Sequence, residues 1–362
     1  MSSLLVNKNN EFFIAICEKN DHSSVSLGVK DNDGTIQFLA SFGKIYYRGA
    51  TQTKKENNLD MFKLRLSEIC GAVFTDTNAY IQNEPVIAYE INDEVWRSPK
   101  TSDISYKAYA ITYQHYLQFL NQMAAISRKQ QIKFNVKPLK AYFPVMENDD
   151  IVKLEWENVD HEEEIQPLAN EEFVTLSIGN NCRHSAIHLT EEARKTEGTG
   201  AGISSLFFKS LPLKAVLVGG NVKDNYLFVL PLPPNAYSHV NPEKLSILTE
   251  LYIRLDEMVL IAQENELSRR KFEKLKGLYK EIATQMPETI LDVISSIESW
   301  EKENKELIST HREKHWFHFA TATERMFDKF RIKFASIKKE QEEIIDPLCN
   351  TNKVQEHLSI KG

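Results

Sequence analysis

The sequence predicts an α+β protein: a sheet with packed helices in the first part, then an antiparallel helical bundle. Three observations lead there. Up to about Pro234, short apolar alternations are separated by turns rich in Gly, Asn and Asp, the period of half-buried strands. Strands and helices do not alternate strictly, which sets the chain apart from a parallel βαβ fold. After Asn241 the sequence becomes heavily charged, with apolar residues at helical spacing. LPLPPNAYSHVNPE separates the two regimes, because its prolines and asparagines stop regular structure. The expected division is a domain over 1–236, a bundle over 242–346 and a flexible tail over 347–362.

Taken in order, EFFIAIC (11–17) and SSVSLGV (23–29) read as strands, with the DNDG turn (31–34) leading into TIQFLASF (35–42). Gly43-Lys44 then begins a connection. Strands are expected at 85–96, 132–136 and 151–157, and a helix inserted at 102–128, with Ile104, Ala108, Ile111, Leu117 and Leu120 near one face. The acidic stretch 147–164 reads as a solvated loop. A helix from Cys182 to about Lys195 follows, then a glycine-rich TEGTGAG that could cover the helix start, a short helix near 203–210, and strands at 214–218 and 226–230 joined by GGNVKDN. Gly219-Gly220 has neither the GxGxxG pattern nor a following helix, so it reads as a turn and not a phosphate cradle. The bundle reads as three helical runs, 242–284, 287–309 and 311–345, with Pro287 in a first turn.

The bulk properties restrict function. A formal net charge of −7 argues against general nucleic-acid binding, which needs a basic surface. No apolar run reaches the length of a membrane span, and the N-terminal apolar stretch lacks the features of a signal peptide. The 4 cysteines (Cys17, Cys70, Cys182, Cys349) are widely spaced without a CxxC pair, which fits free thiols better than disulfides or zinc. His311 and His315 stand i, i+4 without an acidic third ligand in the pattern, and no GluxxHis pair occurs in the bundle, so no metal and no cofactor is expected.

The stretch LSIGNNCRHSAIHL (176–189) carries the sharpest chemistry. Asn181 suits an N-cap, which places Cys182 in a first helical turn where unpaired N–H groups favour negative charge. Thiolate is the nucleophilic form of cysteine, and it needs a base. His184 and His188 share the helix with Cys182 at unfavourable spacing. His22, at the head of the HSSVSLG strand, is the better partner. Cys17 sits in an apolar strand and reads as buried and inert.

His22-Ser-Ser-Val-Ser26-Leu27-Gly28 followed much later by Asn181-Cys182-Arg-His184 resembles the circularly permuted papain-like fold of the NlpC/P60 superfamily, including lecithin:retinol acyltransferase-like enzymes and permuted deubiquitinating peptidases. The resemblance implies an antiparallel sheet with packed helices, Cys182 as nucleophile and His22 as base. Gln37 falls where a second polar residue would orient the histidine, and Asn181 and His184 complete the motif as substrate-contacting positions. Such a site would form a thioester with an acyl or isopeptide carbonyl, the substrate being a lipid acyl group or a ubiquitin-like protein.

The order of parts also resembles effectors exported by intracellular bacterial pathogens through a type IVB secretion apparatus, and KKEQEEII (338–345) resembles their C-terminal acidic cluster. That resemblance implies passage from the bacterial cytoplasm to the host cytoplasm and a host protein partner. The alternative reading is a non-catalytic scaffold whose helices bind a host protein such as a small GTPase. Oligomeric state is open.

Overall fold

The computed structural model describes residues 3–19, 22–46, 69–75, 87–91, 94–97, 101–134, 138–159, 175–176, 181–194, 211–218, 221–237, 241–261, 265–284, 289–310 and 320–359. It divides into two units, Met1–Leu232 and Pro233–Gly362. The first is mixed α and β, the second helical, so the protein is α+β.

The first unit contains strands β1 (Ser3–Asn7), β2 (Glu11–Lys19), β3 (His22–Lys30), β4 (Ile36–Tyr46), β5 (Ile69–Thr75), β6 (Ile87–Ile91), β7 (Glu94–Arg97) and β8 (Thr101–Ile111). After them come helix α1 (Tyr113–Phe134), β9 (Lys140–Glu147), β10 (Ile151–Asn158), β11 (Thr175–Leu176) and helix α2 (Cys182–Arg194). β12 (Leu213–Val218), β13 (Asn221–Val222) and β14 (Val229–Leu230) complete it. Pairing runs β4–β13–β12–β8–β2–β3 and returns to β4, because β3 and β4 also form a hairpin. This antiparallel ring gives every participating strand an inner and an outer face. β5 and then β11 extend it from β4, while β1, β10 and β9 form a separate sheet.

Strand alternation sorts the core. Phe12, Ile14, Ile16 and Glu18 of β2 face Val29, Leu27, Val25 and Ser23 of β3 in register. This face receives the helices: Phe12 meets Tyr113 and Tyr116 at 5.4 Å between ring centroids, and Phe42 meets Phe119 at 6.1 Å. The opposite face carries Phe13, Ala15, Ser24, Ser26 and Gly28, mostly small residues that suit the inside of a narrow ring. Phe13 packs edge-on to Phe38, and the Ser26 and Ser41 hydroxyls lie 2.9 Å apart. A Cβ on Gly28 would stand 2.3 Å from the Phe13 ring, so this position requires glycine by close approach and not by backbone angle.

Several sequence expectations are corrected. The helix expected at 102–128 begins only at Tyr113. TSDISYKAYAI alternates buried and exposed residues at its start and pairs with both β2 and β12, and Thr112 then caps α1 through the His115 N–H at 3.1 Å. Ile104, Ala108 and Ile111 satisfy helical spacing while lying in a strand. α1 runs on to Phe134, into the segment expected as a strand at 132–136. Gly43 and Lys44, expected in a connection, belong to β4. The strand expected at 226–230 is reduced to β14, which pairs in parallel with β8; the hairpin partner of β12 is the short β13. Asn225, at φ 49, turns the chain there, and its side chain accepts from the Ile36 N–H at 2.9 Å. The expected helix at 203–210, His311, His315 and Pro287 lie outside the described residues.

The second unit contains α3 (Pro242–Ile261), α4 (Glu266–Thr284), α5 (Ile290–Glu303), α6 (Lys305–Ser309) and α7 (Ala322–Ser359). The run expected as one helix over 242–284 is two, because Asn265 caps a new one: its side chain accepts from the Ser268 N–H at 2.8 Å. Thr289 and Asp292 form a capping box at the start of α5. The ammonium of Lys271 reaches the carbonyls of Ile308 (3.1 Å) and Thr310, satisfying the end of α6. α7 continues through residues 347–359, the segment expected as a flexible tail. Among the described residues, no helix is long and apolar enough to cross a membrane.

Candidate active site

Asn181 performs the capping role its position suggests. Its side-chain oxygen accepts from the backbone N–H of Arg183 at 2.9 Å and of His184 at 3.1 Å, the N2 and N3 groups of α2. Its carbonyl accepts from the Ser185 N–H at 3.0 Å. Cys182 is therefore the first residue of the helix, half-buried and free. Ala186, Leu189 and Ala193 form the buried stripe that lays α2 on the sheet.

Two arginines hold the ends of that helix. Arg183, 1 % exposed, pairs with Glu18 of β2. Arg194 stacks its guanidinium 4.1 Å from the centroid of the Tyr109 ring on β8. Both anchors lie on the outer face of the ring, since Glu18 and Tyr109 stand opposite Ser23 and Ile14 in register. The helix start is thus docked over the β2–β3 hairpin, and the Ser23 N–H donates to the Cys182 sulfur at 3.4 Å. Residues 159 positions apart in sequence become neighbours.

His22 opens β3, half-buried and paired in register with Lys19; as the covalent neighbour of Ser23 it sits next to the helix start along the chain, while strand alternation sends its side chain to the face opposite that of Ser23. Asn181, Cys182 and His184 share one helical turn. His184 is fixed by its neighbour: because the Asn181 oxygen accepts two backbone N–H groups, the ring Nδ1 at 3.0 Å from it must carry the proton. Burial, and then the Lys44 ammonium, hold the His184 imidazole below the usual histidine range. His184 is accordingly neutral at pH 7, with its lone pair on Nε2.

Gln37 does not join the site. The register pairs it with Val29, seven residues along β3 from His22, and its amide donates to the Phe38 carbonyl at 3.1 Å. A glutamine there cannot orient the His22 ring. Counting outward from the DNDG turn instead pairs Ser24 with Gly43, so Lys44 stands one step further out, beside Ser23. Cys17 is buried within β2, its sulfur 3.9 Å from the Ala15 carbonyl, as its apolar setting suggests.

Three residues that sequence reasoning passed over complete the surroundings: Glu18, Ser23 and Lys44. Ser23 is 0 % exposed and its hydroxyl has no hydrogen-bond partner, an arrangement that costs about 1–3 kcal/mol. Lys44 is fully buried. Among the described residues of this unit, every fully buried charged side chain is a cation: Lys44, Lys107, Arg183 and Arg194. Among the described residues no three His, Cys, Asp or Glu side chains gather as a metal site would require. No family model matches the chain, and no curated protein or solved structure does either.

Proposed function

We propose that the first unit is a permuted papain-like cysteine hydrolase or acyltransferase-like domain, with Cys182 as nucleophile and His22 as base. The observation that supports the reading is the Ser23 N–H directed at the Cys182 sulfur at 3.4 Å, which brings the start of a capped helix to the end of the strand that His22 opens. In the reaction, the Cys182 proton passes to His22 and the sulfur attacks an acyl or isopeptide carbonyl. The leaving group departs with that proton, and water or an acceptor alcohol or amine releases the acyl group from the thioester. The backbone N–H of Cys182, at the helix N-terminus, is placed to stabilise the oxyanion. Lipid acyl groups and ubiquitin-like tails both present this carbonyl.

The test uses p-nitrophenyl acetate and the full chain. Release of nitrophenolate with an acetyl group trapped on Cys182, abolished in Cys182→Ala and strongly reduced in His22→Ala, is expected. Acetylation of other residues at equal rate, or a His22→Ala variant as active as the parent, overturns the proposal.

The second unit supports a role in binding. Ile253 and Leu260 on α3 and Ile332 on α7 are exposed apolar side chains at 52 %, 47 % and 76 %, positions a partner helix could cover. Together with the resemblance to exported bacterial effectors, this supports a chain that acts in a host cell and engages a host protein, a ubiquitin-like protein or small GTPase being the classes proposed. Retention of a purified small GTPase or ubiquitin by the full chain, lost in Ile253→Glu, tests it; no retention of either removes both classes.

A further inference from the structure

We infer that Ser23 is a positioning residue for the Cys182 nucleophile, its hydroxyl donating a hydrogen bond to the sulfur once the thiol proton has left. The inference rests on the reading of Cys182 as nucleophile. The reason lies in the contrast among the serines of β3. The Ser26 hydroxyl is satisfied by Ser41, whereas that of Ser23, buried at 0 % exposure, has no partner. A buried polar atom without a partner calls for an explanation, and a reacting group nearby is one.

The geometry supplies that group. Ser23 stands opposite Glu18, whose carboxylate bonds Arg183 of α2, so the Ser23 side chain faces the same helix. The Cys182 sulfur already lies 3.4 Å from the Ser23 amide nitrogen, and the staggered χ1 positions of a serine include two that bring its oxygen close to its own amide. As it stands the hydroxyl makes no bond to the sulfur, and a turn about χ1 would direct it there. A thiolate is a charged acceptor, and bonds to charged groups are about twice as strong. The charges placed nearby are Lys44, a buried cation that the register sets beside Ser23, and Arg183, already balanced by Glu18. The other titratable groups on these elements are His184, His188, Glu191, Glu192 and Arg194 on α2, His22 and Lys30 on β3, Glu11, Cys17 and Lys19 on β2, Asp103, Tyr106, Lys107 and Tyr109 on β8, and Tyr46 on β4.

The experiment compares Ser23→Ala with the parent by iodoacetamide labelling of Cys182 across pH, with thermal unfolding measured in parallel. Alanine keeps the N–H and nearly the same volume. Labelling at pH 7 is expected to fall about tenfold, the factor one hydrogen bond to a charged sulfur supplies, and to converge with the parent at alkaline pH. Unfolding should occur at the same temperature or higher, because an unsatisfied hydroxyl is gone. Equal labelling of the two proteins at pH 7 overturns the inference. If His22→Ala suppresses p-nitrophenyl acetate turnover while Ser23→Ala changes nothing, only the role of Ser23 falls; if neither matters, the nucleophile reading falls as well.

Discussion

Glu18→Ala tests what holds the helix start in place. The Arg183 guanidinium is 1 % exposed and the Glu18 carboxylate 11 %, so the pair is almost entirely removed from water. Deleting the carboxylate leaves a buried cation without that counter-charge, a change that costs about 3–5 kcal/mol in comparable pairs. For a unit of this size that corresponds to a fall of roughly 6–20 °C in Tm. Replacing both partners together, Glu18→Leu with Arg183→Met, removes the charge and the need for its partner, and should recover most of the loss. Circular dichroism of the full chain during heating and urea unfolding reads all three proteins. The same pair fixes the helix on which Cys182 sits, so Glu18→Ala should also weaken p-nitrophenyl acetate turnover at temperatures where the protein stays folded. A single variant within about 0.5 kcal/mol of the parent, the scatter of ordinary surface substitutions, would refute the argument.

Three further outcomes are expected. Gly28→Ala forces a methyl to 2.3 Å from the Phe13 ring and 2.8 Å from the Gln37 carbonyl oxygen, so urea unfolding should show a loss of about 1–3 kcal/mol, partly recovered by adding Phe13→Leu. Asn181→Ala removes the acceptor for two N–H groups of α2 and should cost about 1 kcal/mol in the same assay, while Asn181→Asp keeps the cap. His184, held low first by burial and then by Lys44, binds fewer protons folded than unfolded, so its contribution is present above the ordinary histidine value and is lost as pH falls toward its folded value. Lys44→Gln should move the His184 titration upward by NMR and flatten that acid-side loss; an unmoved titration would show that Lys44 does not act on the ring.

How legible this protein is depends on the range of the interaction involved. The asparagine before Cys182 acts on N–H groups two and three residues on, and the helix it starts can be read from NNCRH alone. The same rule, applied to Asn265, would have divided the long helical run that apolar spacing suggests is continuous, because a capping oxygen competes with the periodic stripe. Thr101–Ile111 misleads for a different reason. Ile104, Ala108 and Ile111 fit a helix as well as a strand, and only pairing with β2 and β12 satisfies their backbone groups in extended form.

The amino-acid order by itself determines the α+β class, the change to helices after Asn241, the β2–β3–β4 strands and the capped thiol at Cys182, since each rests on contacts between residues close in the chain. Tertiary structure alone decides which side chains surround that thiol. The bulge between Leu27 and Gly28 shifts the outer register of β3 against β4 by one residue and sets Lys44 beside Ser23. The closed ring and the Arg183–Glu18 anchor then bring a hairpin and a helix together across more than 150 residues. Burial strengthens charge interactions and strands an unpaired hydroxyl, and burial belongs to the folded chain, not to any short stretch of its sequence.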